Sequence, residues 1–425
     1  MNFDYGVNRV EEFLKWYESM EPRPKFSKLE DLRIVLQIEM DTPEPSFNFF
    51  CKLFETTPKL SCLNVSCLDI TAESTTIPGL VRALLLSPVL SQLSELRIDD
   101  LDDESLRNLA RHDKLTLKKL SLVALSHDVH EESISALLQG QATYLQELSL
   151  GGQYCCGGGD LQLRLNKNMP CLKVLNFVGG LYIGSHFEYI KVISWEDIQY
   201  QQQFPCLETL GLWYLTQHAM NSLFPEDKDS IPCTALRTLE FIGGMEAIDA
   251  NKLRILGSYF PDTENLNVTI AHQQSISAIF KLWPNLNSVD IRIISVIPQL
   301  DFHFATHCAS CFPSSVSLNN VPQADDGANK ECCITCLKGQ YEAINKKLWN
   351  SMITGVSLFF LGLTKLVVHM DFQPGRSGPW LRGADLHEYL TNATATRLLL
   401  LKKLKHLQIN RSRVSEFVEY LLCIF

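Results

Sequence analysis

At 425 residues the chain exceeds what one compact core usually fills, so it must be several domains or one elongated repeat array. Its composition, 46% hydrophobic and 20% charged, is ordinary for a folded protein and excludes wholesale disorder. The formal net charge of -10 disfavours general nucleic-acid binding, which needs a basic surface to displace phosphate counterions.

The N-terminus, MNFDYGVNRVEEFLKWYESM, lacks a basic start followed by an apolar run and a small-residue cleavage site. Residues 1–25 read instead as an amphipathic capping helix, with Val7, Val10, Phe13, Leu14 and Tyr17 on one side.

From residue 26 the phrase Leu-x-x-Leu-x-apolar recurs. It stands at Leu29/Leu32/Ile34, Leu60/Leu63/Val65, Leu93/Leu96/Ile98, Leu117/Leu120/Leu122, Leu145/Leu148/Leu150 and Leu172/Leu175/Phe177. It continues at Leu207/Leu210/Leu212, Leu236/Leu239/Phe241, a degenerate Thr263/Leu266/Val268, and Leu286/Val289/Ile291. Two further copies, Leu363/Leu366/Val368 and Leu404/Leu407/Ile409, close the series. Between the middle residues of these twelve copies the gaps are 31, 33, 24, 28, 27, 35, 29, 27, 23, 77 and 41. Most lie close to the 20–29 residues of a leucine-rich repeat, and the last two mark insertions. Alternate apolar residues of a short strand point to one side, so each copy is one strand feeding a shared core. The stretches between, such as Thr75–Leu86 and Glu131–Leu138, carry apolar residues at helical spacing. Pro58, Pro170, Pro205, Pro261 and Pro284 stop helices before the next strand. The array divides into repeats 1–10 over 26–298, a Cys-rich flexible insertion over 299–345, and C-terminal repeats over 346–425. Ile353 to Val368 is too short and too broken by Lys365 to span a bilayer, and reads as a helix-to-strand connection.

The insertion holds two C-x-x-C pairs, Cys308/Cys311 and Cys333/Cys336, separated by 21 residues. Two such knuckles can turn four sulfurs toward one zinc ion, although the separation exceeds the usual ~15–20 residues. The alternatives are incidental cysteines in a polar loop and, third, disulfides. With 14 cysteines and no visible signal peptide, the expected state is reduced thiol in a cytoplasmic or nuclear compartment. Cys62, Cys67, Cys171, Cys206 and Cys233 sit in or near strand starts, where small buried residues are expected.

Non-core strand positions face the concave side of such an array, the usual contact surface. Val178, Trp213 and Ile242 fall in one column of three successive repeats. They predict an apolar stripe, flanked by Asn176, Glu240, Asp290 and Arg292, that anchors a protein partner. The competing expectation is that a loop of the chain itself covers it.

These repeats resemble the leucine-rich-repeat superfamily. They are most similar to the long, irregular repeats of intracellular F-box/leucine-rich-repeat proteins and ribonuclease-inhibitor-like chains. Pro-Cys-Leu at 170–172 and 205–207 resembles members that carry free cysteines there. The resemblance implies an α/β solenoid, a curved horseshoe with parallel strands on the concave face and helices on the convex face. In the F-box subfamily the repeats hold a substrate for ubiquitin transfer and an N-terminal F-box binds the ligase adaptor. This chain departs there: 25 residues are too few for an F-box, and no Leu-Pro-x-Glu opening is present.

No catalytic spacing is visible. GGQYCCGGGD at 151–160 lacks the Gly-Lys-Ser/Thr ending of a phosphate loop, and no Gly-x-Ser-x-Gly or His-Glu-x-x-His occurs. The expectation is a non-enzymatic protein-protein interaction module without a membrane partner, and specifically a substrate-recognition subunit of a cullin-type ubiquitin ligase. The alternatives are the repeat region of an immune-type receptor and a zinc-stabilised regulatory protein.

Overall fold

The computed structural model describes residues 2–5, 19–20, 26–37, 47–68, 76–126, 128–153, 162–163, 168–183, 186–189, 194–195, 198–215, 217–225, 231–242, 248–270, 273–294, 362–371, 400–409 and 412–413. In chain order the strands are β1 (Asn2–Tyr5), β2 (Asp31–Gln37), β3 (Cys62–Leu68), β4 (Glu95–Ile98), β5 (Lys119–Leu125), β6 (Glu147–Gln153), β7 (Gln162–Leu163), β8 (Val174–Val178) and β9 (Gly180–Ile183). There follow β10 (His186–Tyr189), β11 (Ser194–Trp195), β12 (Thr209–Trp213), β13 (Thr238–Ile242), β14 (Asn265–Ile270), β15 (Ser288–Ile294), β16 (Lys365–Asp371), β17 (His406–Ile409) and β18 (Ser412–Arg413). All twelve copies of the repeat phrase become strands: β2 to β6, β8, and β12 to β17. The fold is an α/β repeat in which parallel strands alternate with helices, as the leucine spacing requires.

By internal contacts the chain divides into two compact units, Met1–Glu246 with Ile255–Thr263, and Ala247–Arg254 with Glu264–Phe425. In the first, β1-β2-β3-β4-β5-β6-β8-β12-β13 lie side by side, every pair parallel. The register sets Leu32, Leu63, Leu96, Leu120, Leu148, Leu175, Leu210 and Leu239 in one row. None of the eight is more than 2% exposed. Two residues on, Ile34, Val65, Ile98, Leu122, Leu150, Phe177, Leu212 and Phe241 are also buried. A one-residue slip would turn both rows to the opposite face, so this burial fixes the pairing. In the second unit β14-β15-β16-β17 repeat the parallel pattern and β18 returns antiparallel on β17. Two small pairs stand apart: β9 with β10, antiparallel, and β7 with β11, parallel.

Helices return the chain between strands. Phe47–Thr56, Thr76–Leu86, Asp103–Ala110 and Glu131–Gln141 are the longest described helices of the first unit. The expected helix from Thr75 is found from Thr76, and the one from Glu131 extends to Gln141. Asp102 caps Asp103–Ala110, its Oδ1 accepting from Ser105 N at 2.7 Å. The buried Gln141 amide bridges Leu115 O (3.0 Å) and Leu117 N (2.8 Å), satisfying the backbone before β5. Thr263, in the leucine place of the degenerate copy, is buried and donates its hydroxyl to Phe260 O at 3.0 Å. Among the described residues no helix is long and apolar enough to cross a membrane.

One expectation is corrected at the N-terminus. Asn2–Tyr5 is not the start of a capping helix but a strand, β1, paired parallel with β2. Its sequence, Asn-Phe-Asp-Tyr, alternates polar and aromatic residues with the period of a strand rather than of a helix. Residues 6–18, the rest of that expected helix, lie outside the described residues.

An aromatic cluster is buried in the first unit. Tyr200 stacks on Phe224 at 5.5 Å between centroids and meets Phe260 edge-on at 5.2 Å. Tyr259 joins the cluster and donates its hydroxyl to Pro225 O at 3.3 Å. The Tyr200 hydroxyl is buried with no hydrogen-bond partner among the described residues, and burial pushes that phenol well above its ordinary pKa. Removing an unsatisfied buried hydroxyl removes its desolvation cost. Tyr200→Phe should therefore raise stability by about 1 kcal/mol, read as a higher urea midpoint. A lowered midpoint would show that the hydroxyl is satisfied.

Asp103 ties two neighbouring helices. Its Oδ2 meets Arg107 Nη2 at 2.6 Å and its Oδ1 accepts from His130 N at 2.9 Å, with His130 Nδ1 at 3.3 Å. Arg107 Nε donates to Ser133 Oγ at 3.0 Å. Burial pushes the Asp103 carboxyl up, but the Ser133 hydroxyl, the His130 N–H and Arg107 together hold it below the usual carboxylate range. A lowered native pKa contributes stability above the unfolded value and loses it as pH falls through the native one. Asp103→Asn should cost about 1–2 kcal/mol at neutral pH. The deficit should shrink on acidification below the carboxylate range, checked by urea unfolding across pH.

Candidate binding face of the first unit

Strand residues that alternate with the core rows form columns on the opposite face of the sheet. The first column contains Asp31, Cys62, Glu95, Lys119 and Glu147 in register. Lys119 Nζ lies 3.4 Å from Glu95 Oε1 and 3.2 Å from Glu147 Oε1, so one ammonium links three strands. The hydrogen bond to Glu147 raises the Lys119 pKa most, against partial desolvation, with the remaining charge of Glu147 and Glu95 adding to it. Cys62 sits between carboxylates, and burial, then Asp31 and Glu95, push its thiol up to about 12. A thiol so held is protonated and unsuited to nucleophilic work.

The next column runs Arg33, Asn64, Arg97, Ser121, Ser149, Asn176, Gly211 and Glu240. Arg97 Nε turns to Asp99 Oδ1 at 3.4 Å. Asn176 Nδ2 donates to Ser149 Oγ at 3.1 Å.

The third column carries the predicted stripe. Trp213 is in register with Val178 on one side and Ile242 on the other, as the spacing indicated. The stripe is less open than expected, however. Val178 is only 4% exposed and packs with Val123, 5% exposed, while the half-buried Trp213 lies against both. Val123 and Val178 belong to β5 and β8, with Gly151 of β6 between them. A Cβ at Gly151 would stand 2.7 Å from Val123 C and 2.8 Å from its Cα, so the missing side chain permits a close backbone approach.

Gly211 clears the second gap. A Cβ there would lie 3.0 Å from Trp213 Nε1 and 3.1 Å from Asn176 Cγ, and closer still to Asn176 Oδ1. The indole and the Asn176 amide thus occupy space that any other residue would fill. Trp213 Nε1 donates to Glu240 Oε2 at 3.3 Å, which orients the ring toward β13. The backbone around Trp213 is tied on both flanks, Gly179 N donating to Trp213 O at 2.7 Å and Tyr214 N to Ile242 O at 2.6 Å. Tyr214 turns the chain out of the strand with φ 57°, and Asp100, its equivalent after β4, does so with φ 61°. For these two residues the left-handed conformation is a local cost that the strand-end bonds hold in place.

The structure therefore unites Asn176, Val178, Trp213, Glu240 and Ile242 and adds Val123, Ser149, Gly151 and Gly211. The two strand glycines were the signal that could have found this. Asp290 and Arg292 stand half-buried on β15, in the second unit, in register with Asn267 and Thr269 of β14. Cys308, Cys311, Cys333 and Cys336 lie outside the described residues. Among the described residues no cluster of three or more His, Cys, Asp or Glu could hold a metal ion. Of the strand-start cysteines, Cys233 is buried as expected and Cys62 half-buried, but Cys171 and Cys206 are exposed. Each of those two occupies the turn before its strand, one residue ahead of the inward leucine, rather than a core row. Compared with protein-family models and with curated protein sequences, the chain matches none.

Both glycines should be intolerant of alanine, to different degrees. At Gly151 the new methyl meets backbone, which cannot yield without breaking the β5–β6 ladder. At Gly211 it meets side chains that can rotate. Gly211→Ala should cost about 1–3 kcal/mol and shift tryptophan emission, and Gly151→Ala should cost more, both read by urea unfolding. The reverse order would mean that the indole does not lie over Gly211.

Proposed function

We propose that this chain is a non-catalytic protein-binding module, whose partner docks on the strand face of the first unit around Trp213. One observation carries the reading. Val123, Val178 and Trp213 pack together with Ile242 in register beside Trp213, a polar column borders them, and glycines at 151 and 211 permit close approach there. A half-buried tryptophan held by a neighbouring carboxylate is a pre-ordered anchor, which lowers the entropy lost on binding. On β6, β8, β12 and β13 the charged residues in these columns are Glu147 and Glu240, and Glu147 already pairs with Lys119. The partner segment that complements this face presents an apolar side chain to Trp213 and a lysine or arginine to Glu240.

The finer reading is a leucine-rich-repeat substrate receptor of the kind that serves a cullin-type ubiquitin ligase. It is supported by the strand–helix repeat, the irregular repeat lengths and the Pro-Cys-Leu strand entries. The discriminating observation is whether a ligase adaptor accompanies the partner.

Affinity recovery of the tagged chain from cells, wild type beside Trp213→Ala, tests the proposal. A specific partner should be retained by the wild type and weakened by about 2 kcal/mol, roughly 30-fold in Kd, in the variant. Trp213→Ala that keeps its melting curve and its full partner affinity would sink the reading.

A further inference from the structure

Cys171 and Cys206 occupy the same place in neighbouring repeats. β8 and β12 pair parallel with Val174 opposite Thr209, an offset of 35 residues, and the same offset carries Cys171 onto Cys206. Each cysteine is the third residue of a turn of one pattern. Leu172 N closes Met169-Pro170-Cys171-Leu172 on Met169 O at 3.2 Å, and Leu207 N closes Phe204-Pro205-Cys206-Leu207 on Phe204 O at 3.1 Å. The two turns are laced together on both sides of the pair. Before it, Met169 N donates to Gln203 O at 2.8 Å; after it, Glu208 N and Thr209 N both donate to Lys173 O at 2.9 Å.

Side chains at equivalent places reach each other here. Lys173 and Glu208, two residues beyond the cysteines and also 35 apart, meet at 3.0 Å. Glu208, by its hydrogen bond and then its charge, raises the Lys173 pKa, and Cys206 adds a smaller push in the same direction. Equivalent residues of paired strands are about 4.8 Å apart, inside the Cα separation of about 4.4–6.8 Å that a disulfide spans. Of the cysteines whose exposure is described, these two are the exposed ones.

We propose that Cys171 and Cys206 form a solvent-facing dithiol across two repeats, which an oxidised low-molecular-weight thiol converts to a disulfide. The thiolate of one cysteine attacks a sulfur of the small-molecule disulfide, whose S–S bond breaks and releases one thiolate. The second cysteine, as thiolate, attacks the protein sulfur of that mixed disulfide and releases the other small-molecule thiol. The protein pair loses two electrons and two protons, and the oxidant is reduced to two thiols. The bond would lock β8 to β12, the strands that carry Asn176, Val178, Gly211 and Trp213. It does not depend on the binding role of those residues.

The test uses the reduced full chain, exposed under native conditions to oxidised glutathione, then acid-quenched, alkylated, digested and mapped by mass spectrometry. The expected product is a peptide linking Cys171 to Cys206. Both Cys171→Ser and Cys206→Ser should lack the link and should retain glutathione on the remaining cysteine. Oxidised wild type should also unfold at higher urea than reduced wild type, a gain that neither variant shows. Separate glutathione adducts on both cysteines of the wild type without the link would overturn the proposal. So would a link that forms only in urea.

Discussion

Parallel pairing in a single register is the constraint on which the rest of this structure hangs. A leucine every strand, aligned across eight neighbours and sealed from water, admits one alignment, because a slip of one residue would turn every leucine outward. Once that row is set, the opposite face is set with it. Whatever residues fall between the leucines are brought into columns whether or not they attract one another. Lys119 between Glu95 and Glu147 is a column whose members suit each other. Trp213 beside Val178 and Ile242 is another, and the cysteine pair ahead of β8 and β12 is a third.

The same logic explains what the amino-acid sequence revealed. The twelve strands were legible because their burial demands leucine, isoleucine, valine or phenylalanine at fixed spacing, and nothing else satisfies it. The column of Val178, Trp213 and Ile242 was legible for the same reason, since register follows from the leucines. Exposure was not legible. Whether Val178 faces water depends on Val123, two strands away, and on the absence of a side chain at Gly151 between them. That is a relation among three repeats, invisible in any one of them. The exposure of Cys171 and Cys206 is hidden for a related reason: proximity to a strand start suggests the core, but the turn places the leucine inward and the cysteine before it outward.

Asn2–Tyr5 shows the limit of reading a terminal segment by helical periodicity. The apolar residues that suggested a helix begin at Val7, whereas the residues before them alternate and join β2 as an added strand. Edge pairing is available to a segment of four residues because the neighbouring strand supplies the hydrogen-bonding partners. The buried polar groups also escape a pattern search. Gln141 and Thr263 sit where apolar residues are the rule, and each is tolerated because backbone groups complete its hydrogen bonds.

The glycine at 211 has an evolutionary corollary. Nineteen of the twenty amino acids carry a Cβ, and any of them placed there would strike the amide of Asn176 and crowd the indole of Trp213. Position 211 therefore has no neutral neighbour in sequence space while those two side chains stay where they are. Drift at this spot must begin at 176, whose amide stands closest, and a lineage that lost the tryptophan alone would still need the glycine. Gly211 and Asn176 should be kept or lost together.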